Sequence, residues 1–272
     1  MVIPVPGALE SLCLRDKVIV VTGGNSGIGK AIVEEVGSLG AKVVIDYRSH
    51  PDRTEELVEE IGELGGQAIG VQADVGNLED LQRLVDTAVN TFGKVDVMIN
   101  NAGIAQGFTP LPAIDSALAR RIVDIDLMGV FYAMKHQIPA MLERAKATGR
   151  GCAILNTSSL AGVAGAPQLA IYSAAKHGVV GLTRSAAAEY ARKGIRVNAL
   201  CPAFARTDMV LGGLRDTSQS MEEGIAHIVR GVPMRRLGEI DEVMEAVLFA
   251  CDPANGFMTG QTLTIDGGVS AV

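Results

Sequence analysis

Short β-branched runs alternate with longer segments of helical spacing along nearly the whole chain. The runs are apolar on both sides, which is typical of strands buried between two layers of helices. Because helices separate consecutive strands, right-handed crossovers are required and a mostly parallel sheet is expected. The predicted strands are residues 18–21, 43–45, 68–72, 95–99, 153–156, 196–200 and 262–265. The predicted helices are residues 29–39, 54–64, 78–92, 116–141, 172–191 and 240–250.

No stretch rich in Pro, Gly and Ser divides the chain, so we expect a single domain over residues 15–272. Residues 1–14 precede the first strand and are interpreted as an N-terminal extension. Residues 203–236 lose the regular periodicity. A long irregular segment within a compact domain is usually a binding loop, and we therefore predict that residues 203–236 form a substrate-binding lid.

Charge and composition disfavour several classes of protein. The net charge is −7 and no long basic block occurs, which argues against nucleic acid or an anionic membrane surface as a partner. The sequence contains no run of about 18 apolar residues and no signal-peptide pattern at its start, so a cytoplasmic protein is expected. The cysteines are widely spaced and form no CxxC pair. No metal site is predicted.

A glycine-rich segment, TGGNSGIG at residues 22–29, follows the first predicted strand and opens the first helix. Glycines permit a sharp turn and a close backbone approach, and a helix N-terminus offers free N–H groups to a diphosphate. Its position within a βαβ unit predicts a dinucleotide-binding turn. Its spacing is TGxxxGxG rather than GxGxxG.

That spacing resembles the short-chain dehydrogenase/reductase family, and the resemblance covers roughly residues 15–268. It continues in Asp74-Val75, NNAG (100–103), SSLAG (158–162), YSAAK (172–176), RVN (196–198) with Pro202, TDM (207–209) and DGG (266–268). The resemblance implies a single-domain, doubly wound Rossmann fold of the α/β class. It also implies a seven-stranded parallel sheet with helices on both faces and a homotetramer or homodimer.

Tyr172 and Lys176 are one helical turn apart and therefore share a helix face. A free phenol titrates near about 10, and a neighbouring ammonium favours its ionised form. This pair suits acid/base chemistry near neutral pH. The resemblance assigns Tyr172 to proton transfer, Lys176 also to the nicotinamide ribose, and Ser159, in preference to Ser158, to the substrate oxygen.

The chain departs from the family at Asp126, where the family usually has Asn. Main-chain contacts of that residue can survive the change. An added carboxylate would instead raise the pKa of Lys176 and disfavour the phenolate, so both outcomes stay open. We include Asp126 with the catalytic residues on this ground.

The second strand ends in Asp46, Tyr47 and Arg48. An acidic side chain at this tip selects NAD, whereas Arg accommodates the 2′-phosphate of NADP. By comparison with the family, the selecting position is Tyr47, and alternation along the strand directs Asp46 away from the ribose. Arg48 favours NADP(H), with NAD(H) as the alternative. The residues assigned to the cofactor are Gly23, Asn25, Ser26, Ile28, Tyr47, Arg48, Asp74, Val75, Asn101, Ala102, Gly103, Tyr172, Lys176, Pro202 and Thr207.

The resulting prediction is an NAD(P)-dependent enzyme that transfers hydride between a nicotinamide and a small ketone or secondary alcohol. Different segments resemble glucose dehydrogenases and dehydrogenases of cyclic secondary alcohols, so the substrate stays open between these classes. One alternative is a 3-oxoacyl-acyl-carrier-protein reductase type of enzyme, acting on thioesters in lipid or polyketide synthesis. The other is a catalytically silent dinucleotide sensor.

Overall fold

The computed structural model describes residues 14–149, 151–217 and 220–272. Within this part of the chain, seven strands form one parallel sheet in the order β3-β2-β1-β4-β5-β6-β7, which confirms the predicted fold class. The strands are β1 (Val18–Val21), β2 (Lys42–Tyr47), β3 (Gln67–Gln72), β4 (Val97–Asn100), β5 (Cys152–Thr157), β6 (Ile195–Pro202) and β7 (Thr262–Ile265). The α-helices are α1 (Gly27–Ser38), α2 (Pro51–Glu63), α3 (Leu78–Phe92), α4 (Ser116–Val123), α5 (Gly129–Thr148), α6 (Ala170–Tyr190), α7 (Asp208–Thr217), α8 (Met221–Val229) and α9 (Ile240–Cys251).

The strands are apolar throughout because helices cover both faces of the sheet. Ile19 and Val21 pack into a core cluster with residues of α1, α2 and α9. Val20, between them, points to the opposite face and packs with residues of α3, α5 and α6. Successive side chains of a strand alternate between the faces, so burying both faces requires the continuous apolar runs seen in the sequence.

The segment predicted as one helix over residues 116–141 is interrupted. A π-helical turn, Asp124–Met128, separates α4 from α5. Such a turn accommodates one extra residue and is a recognised cause of helix bending. Here it contains Asp126, which is fully buried. Apolar periodicity alone does not reveal the turn, because the pattern continues across it.

The predicted lid, residues 203–236, contains two helices, α7 and α8, that weak periodicity did not predict. Residues 1–13 of the predicted N-terminal extension lie outside the described residues, and Leu14 at its end is buried in the core. No helix in the described part of the chain is both long and apolar enough to cross a bilayer.

Strand order reverses between β1 and β4, since β2 and β3 lie to one side of β1 and β5 to β7 lie beyond β4. In open parallel sheets, ligands bind beyond the carboxyl ends of the strands at such a switch point. The fold therefore places the candidate site at the carboxyl ends of β1 and β4.

Candidate active site

Thr22 and Asn101 join the two segments that leave the sheet at the switch point. The hydroxyl of Thr22 accepts hydrogen bonds from the backbone N–H groups of Asn101 and Ala102, at 2.9 and 3.0 Å. The Asn101 side chain donates in return to the carbonyls of Thr22 and Gly23. The glycine turn and the start of the NNAG segment are thereby held as one wall of the crevice.

The glycine turn has the geometry that a closely approaching ligand requires. Gly23 adopts a left-handed φ of +61°, and a Cβ there would lie 3.1 Å from the Cα of Ala102. A Cβ on Gly29 would overlap the carbonyl oxygen of Gly23. Glycine is therefore required by conformation at Gly23 and by space at Gly29.

Helix α1 begins at this turn with its N-terminus uncapped. Ser26 is the N-cap residue but its side chain makes no capping bond, and the first turn carries no acidic residue. Helix α3 differs, since Asn77 caps it and Glu79 and Asp80 lie in its first turn. Free N–H groups and the positive end of the helix dipole attract an anion. The start of α1 thus fits the diphosphate of a dinucleotide.

Two of the residues assigned to the cofactor from this turn have other contacts as well. The Asn25 amide is buried and donates to the carbonyl oxygens of Ser49 and His50 and to Thr54 Oγ1. It therefore braces the β2–α2 connection. Ile28 packs against the core cluster on the α1 face. The sequence motif did not reveal these internal contacts.

At the tip of β2, Asp46 is buried beneath the glycine turn and Arg48 is exposed. Asp46 Oδ2 accepts from Gly23 N at 3.1 Å, and its Oδ1 has no hydrogen-bond partner among the described residues. Burial raises the pKa of Asp46 to about 7; the Gly23 N–H opposes the rise, while Asp74 and Asp80 add to it. Tyr47 is half-buried at the strand end.

Asp74 and Val75 follow β3 along the same edge of the sheet. Asp74 N donates to Asp80 Oδ2, and Asp74 Oδ1 accepts from Gly76 N, which fixes the start of the connection to α3. Val75 is buried, and its carbonyl would lie 3.1 Å from a Cβ on Gly129. The segment that follows β3 therefore packs against the start of α5.

Lys176 lies in α6 with its ammonium group buried in the crevice. Its Nζ is 3.3 Å from Asp126 Oδ2, donates to the Thr157 carbonyl at 3.1 Å, and lies 5.5 Å from the centroid of the Tyr172 ring. Asp126 Oδ1 also accepts from Ile104 N at 2.9 Å. The Lys176 ammonium group therefore has three neighbours, namely the Asp126 carboxylate, the Thr157 carbonyl and the Tyr172 ring.

Lys176 and Asp126 each affect the pKa of the other. Burial alone would lower the pKa of Lys176, but the Asp126 carboxylate and Tyr172 act together against it and the pKa is raised. Burial raises the pKa of Asp126 and Lys176 opposes that rise. A Cβ on Gly103 would lie 3.2 Å from Asp126 Oδ2 and 3.3 Å from Lys176 Nζ. The end of the NNAG segment is therefore packed directly on the ion pair.

The two candidate serines occupy different environments. Ser158 is buried, and its hydroxyl donates to the Lys176 carbonyl at 2.9 Å. Ser159 is only half-buried, and its hydroxyl accepts from Ala161 N at 3.2 Å as the cap of a short 3₁₀ turn. A further contact, from Ser173 Oγ to the Ala161 carbonyl, ties this turn to α6. Ser158 is therefore engaged with the helix backbone, whereas Ser159 faces the more open side.

Pro202 and Thr207 lie where the chain leaves β6. Pro202 ends the strand beside Ile265 of β7, and Thr207 Oγ1 accepts from Val210 N at the start of α7. Both residues are buried. They stand at the root of the predicted lid.

A buried polar chain beneath the crevice was not predicted from the sequence. Gln137 on α5 and Asn156 on β5 both bond to Asn100 at the end of β4, with their shortest contacts at 2.7 Å. Asn156 also donates to Thr183 Oγ1 on α6 at 3.0 Å. An Asn near the end of each of two otherwise apolar strands is the signal that could have indicated it.

The comparisons with known proteins agree with this geometry. A family model described as enoyl-(acyl carrier protein) reductase matches residues 23–270. The chain is 39% identical to cis-4-hydroxycyclohexanecarboxylate dehydrogenase of Sinomonas cyclohexanicum, covering 94% of this chain and 98% of that protein. It is 40% identical to 2,5-dichloro-2,5-cyclohexadiene-1,4-diol dehydrogenase of Sphingobium indicum, covering 95% and 99%. It is also 38% identical to 3-oxoacyl-[acyl-carrier-protein] reductase of Synechocystis, covering 94% and 98%.

Solved structures give the same relationship. Carveol dehydrogenase from Mycobacterium avium, in complex with NAD, superposes with a TM-score of 0.88 at 28% identity, covering 95% of this chain and 99% of that one. Gluconate 5-dehydrogenase from Burkholderia cenocepacia, in complex with NADP and tartrate, also has a TM-score of 0.88 at 28% identity, covering 97% and 99%. The chain belongs to the short-chain dehydrogenase/reductase family, whose members here are oxidoreductases acting on CH–OH groups.

Proposed function

We propose that this protein is an NAD(P)-dependent dehydrogenase/reductase of ketones and secondary alcohols, with Tyr172 as its acid/base. The observation that carries the proposal is the buried Lys176 ammonium, 5.5 Å from the Tyr172 ring centroid at the carboxyl edge of the sheet. An ammonium at this range favours the phenolate. The pair lies across the crevice from an uncapped helix N-terminus that fits a diphosphate.

The residues around the crevice suit a nicotinamide dinucleotide. The glycine turn and the start of α1 would hold its diphosphate, Tyr47 and Arg48 its adenosine ribose, and Lys176 its nicotinamide ribose. The remaining residues proposed to contact the cofactor are Gly23, Asn25, Ser26, Ile28, Asp74, Val75, Asn101, Ala102, Gly103, Pro202 and Thr207. When bound, the nicotinamide supplies or accepts the hydride.

The protein's own residues manage the proton. Tyr172 gives a proton to the substrate oxygen during reduction and accepts it during oxidation. Ser159 holds that oxygen beside the phenol through its hydroxyl. Lys176 keeps positive charge next to the phenol, and Asp126 fixes the position of Lys176 through their 3.3 Å contact.

The relatives and the exposed side chains favour a cyclic secondary alcohol or ketone as substrate. Two relatives are named for cyclic alcohol substrates. Large apolar side chains are exposed on the segments that follow β4 and β6 at the carboxyl edge, namely Phe108, Leu111, Met209 and Met234. Apolar surface of this kind gains more from covering a hydrocarbon ring than from covering a polyol.

A 3-oxoacyl thioester reductase is the second candidate, because one relative bears that name. Docking an acidic carrier protein would require free basic groups beside the crevice. Arg206 pairs with Glu239, and Arg236 forms two hydrogen bonds with Glu242. These contacts pair two of the arginines near the lid with carboxylates, whereas Arg230 bonds to His227 and Arg235 to a backbone carbonyl, so the thioester reductase stays the second candidate.

The substitution Tyr172→Phe tests the proposed function. We expect turnover of a cyclic secondary alcohol to fall by about 10²- to 10⁴-fold, because the proton donor is lost. The affinity for NADH and NADPH, measured by fluorescence titration, should stay within several-fold. Tyr190→Phe is a matched control, since Tyr190 is also on α6 with a lysine, Lys193, over its ring.

Substrate class and cofactor preference need a broader panel. Cyclohexanol-type alcohols, sugars and 3-oxoacyl thioesters, each tested with both nicotinamides, separate the candidates. Activity of the Tyr172→Phe variant equal to the parent would contradict the assigned role. Cofactor binding with no turnover of any member of the panel would favour the silent sensor.

We further propose a cytoplasmic homotetramer or homodimer. Such assemblies are usual in this family, and Phe131 on α5 is 41% exposed, as expected of a side chain that a partner covers. Cys152, Cys201 and Cys251 are free and buried, which suits a reducing compartment. Light scattering coupled to size exclusion would measure the assembly.

A further inference from the structure

The N-terminus of the catalytic helix α6 has an unusual cap. Leu169 occupies the N-cap position and has no side chain that can accept a hydrogen bond. Instead, Gln106 Oε1 accepts from the backbone N–H groups of Ile171 and Tyr172, at 3.2 and 3.1 Å. The cap therefore comes from a residue 66 positions earlier in the chain.

The same side chain also fixes the loop that leads into α6. Gln106 Nε2 donates to the Gln168 carbonyl at 2.9 Å. That carbonyl also accepts from Thr109 N at 3.0 Å, and Gln168 itself has a left-handed φ of +66°. Gln106 is buried although it lies in an otherwise largely exposed loop. Both polar atoms of the Gln106 amide are thus hydrogen-bonded to backbone groups at, or just before, the start of α6.

Gln106 and Gly103 lie on the same loop, so this loop contacts both the start of α6 and the Asp126–Lys176 pair. Gln106 lies three residues after Gly103, which packs on the Asp126–Lys176 pair. Lys176 is anchored by its own contacts to Asp126 and Thr157. Tyr172 lies in the first turn of α6, where helices fray unless they are capped.

We propose that Gln106 is a positioning residue that holds Tyr172 against Lys176 and the substrate by capping α6 from the loop after β4. The proposal rests on the proposed function of Tyr172. Without the cap, the first turn of α6 opens while Lys176 stays in place, so the phenol moves relative to the ammonium.

Gln106→Leu and Gln106→Glu test the proposal. Leucine has a similar volume but neither accepts nor donates, and we expect kcat to fall by about 10- to 100-fold, as for a small misplacement of a catalytic group. Amide hydrogen exchange at Ile171 and Tyr172 should accelerate by at least about tenfold. Affinity for NADH should change by less than about threefold, because the glycine turn is untouched.

Gln106→Glu keeps the acceptor for both amides but loses the Nε2 donor to the Gln168 carbonyl, so relative to Gln106→Leu it should restore amide protection and part of kcat. Its carboxylate also adds negative charge near the phenol. The acid limb of alcohol oxidation should therefore move to higher pH, while the recovery of both kcat and amide protection distinguishes the capping role from a general loss of stability.

Asp115→Ala is the matched control, because Asp115 is also a capping residue but its side chain caps α4, through Leu118 N at 2.8 Å, rather than α6. It should lower the melting temperature without changing the pH profile or the exchange at Tyr172. If the amide exchange rates of Ile171 and Tyr172 are unchanged in Gln106→Leu, Gln106 does not cap α6. Exchange that accelerates with kcat unchanged would overturn the positioning role, whereas a parent protein without any turnover would instead refute the proposed function.

Discussion

Two buried carboxyl groups, at opposite ends of the crevice, have the same residue type and different neighbours. Asp46, under the glycine turn, accepts one backbone N–H, from Gly23. Asp126, beside the catalytic helix, also accepts one backbone N–H, from Ile104, and in addition contacts the Lys176 ammonium at 3.3 Å. Burial raises the pKa of both groups, and only Asp126 has a cation to oppose the rise.

The difference shows how a neighbouring charge decides what a buried acid does. Asp46 has the acidic neighbours Asp74 and Asp80, and its pKa of about 7 allows it to gain or lose a proton near neutral pH. Asp126 instead shares its environment with Lys176, and each group favours the charged form of the other. The end of the crevice at the glycine turn thus minimises buried charge, whereas the end at α6 retains it in a pair.

The largest effect is expected when the cation of the pair is removed. Lys176→Met would leave Asp126 buried without a counter-charge, which costs about 3–5 kcal/mol in the free energy of unfolding. Turnover should also be lost. Adding Asp126→Asn should recover most of the stability and none of the activity, as measured by urea unfolding and initial rates.

Lys30→Met is the control for that experiment. It removes the same side chain from an exposed pair with Glu34, and surface pairs of this kind contribute about 0.5 kcal/mol or less. A double variant no more stable than Lys176→Met alone would show that the two groups are not coupled.

The second effect concerns Asp46 and the pH dependence of stability. Between its ordinary pKa of 3.8 and its folded-state pKa of about 7, the folded protein retains a proton that the unfolded chain releases. The free energy of unfolding should therefore fall as pH rises through this window, by up to about 4 kcal/mol from this group alone. In Asp46→Asn the fall should be much smaller.

Urea unfolding at pH 5 and pH 8 measures that difference directly. The Asn side chain can still accept from Gly23 N, so the glycine turn is preserved. Parallel stability curves for the parent and Asp46→Asn would mean that Asp46 stays ionised, and the contrast between the two carboxyl groups would be lost.

The smallest effect is expected from Asp126→Asn alone. Removing the carboxylate takes away the negative charge beside Lys176 and the phenol, so the acid limb of alcohol oxidation should move to lower pH. The maximal rate should change little if the amide still accepts from Ile104 N. A limb that stays in place would indicate that Asp126 acts only through its backbone and its packing.

Much of the fold and site was predictable because the signals were local. The apolar runs predicted all seven strands, and the spacing of Ser159, Tyr172 and Lys176 indicated one catalytic group. The Asp126 departure left two outcomes open, and the 3.3 Å contact between Asp126 and Lys176, which raises the pKa of Lys176, favours the one in which the carboxylate acts on the lysine. In each case the residues that determine the feature lie close together in the chain or share a recognisable motif.

Other features depended on contacts between distant segments. The Gln106 cap joins residues 66 positions apart, and Asn25 turns inward to the carbonyl of Ser49 rather than serving only the turn. The π-helical turn at Asp126 was hidden because the apolar pattern continues through it. Helices α7 and α8 were missed because both are short and contain glycine, Gly212 and Gly213 in α7 and Gly224 in α8, which lowers intrinsic helix propensity.

The close packing of Gly103 on the Asp126–Lys176 pair has a consequence for how the enzyme responds to ions in solution. Gly103 packs on the pair and both side chains are almost wholly buried, so small counter-ions have little access to either charge. Dissolved salt weakens attraction between exposed groups but has little effect on groups sealed from water. The pH dependence of turnover should therefore be the same at low and at high salt concentration. Exposed ion pairs near the predicted lid, such as Arg206 with Glu239, should instead weaken as salt is added.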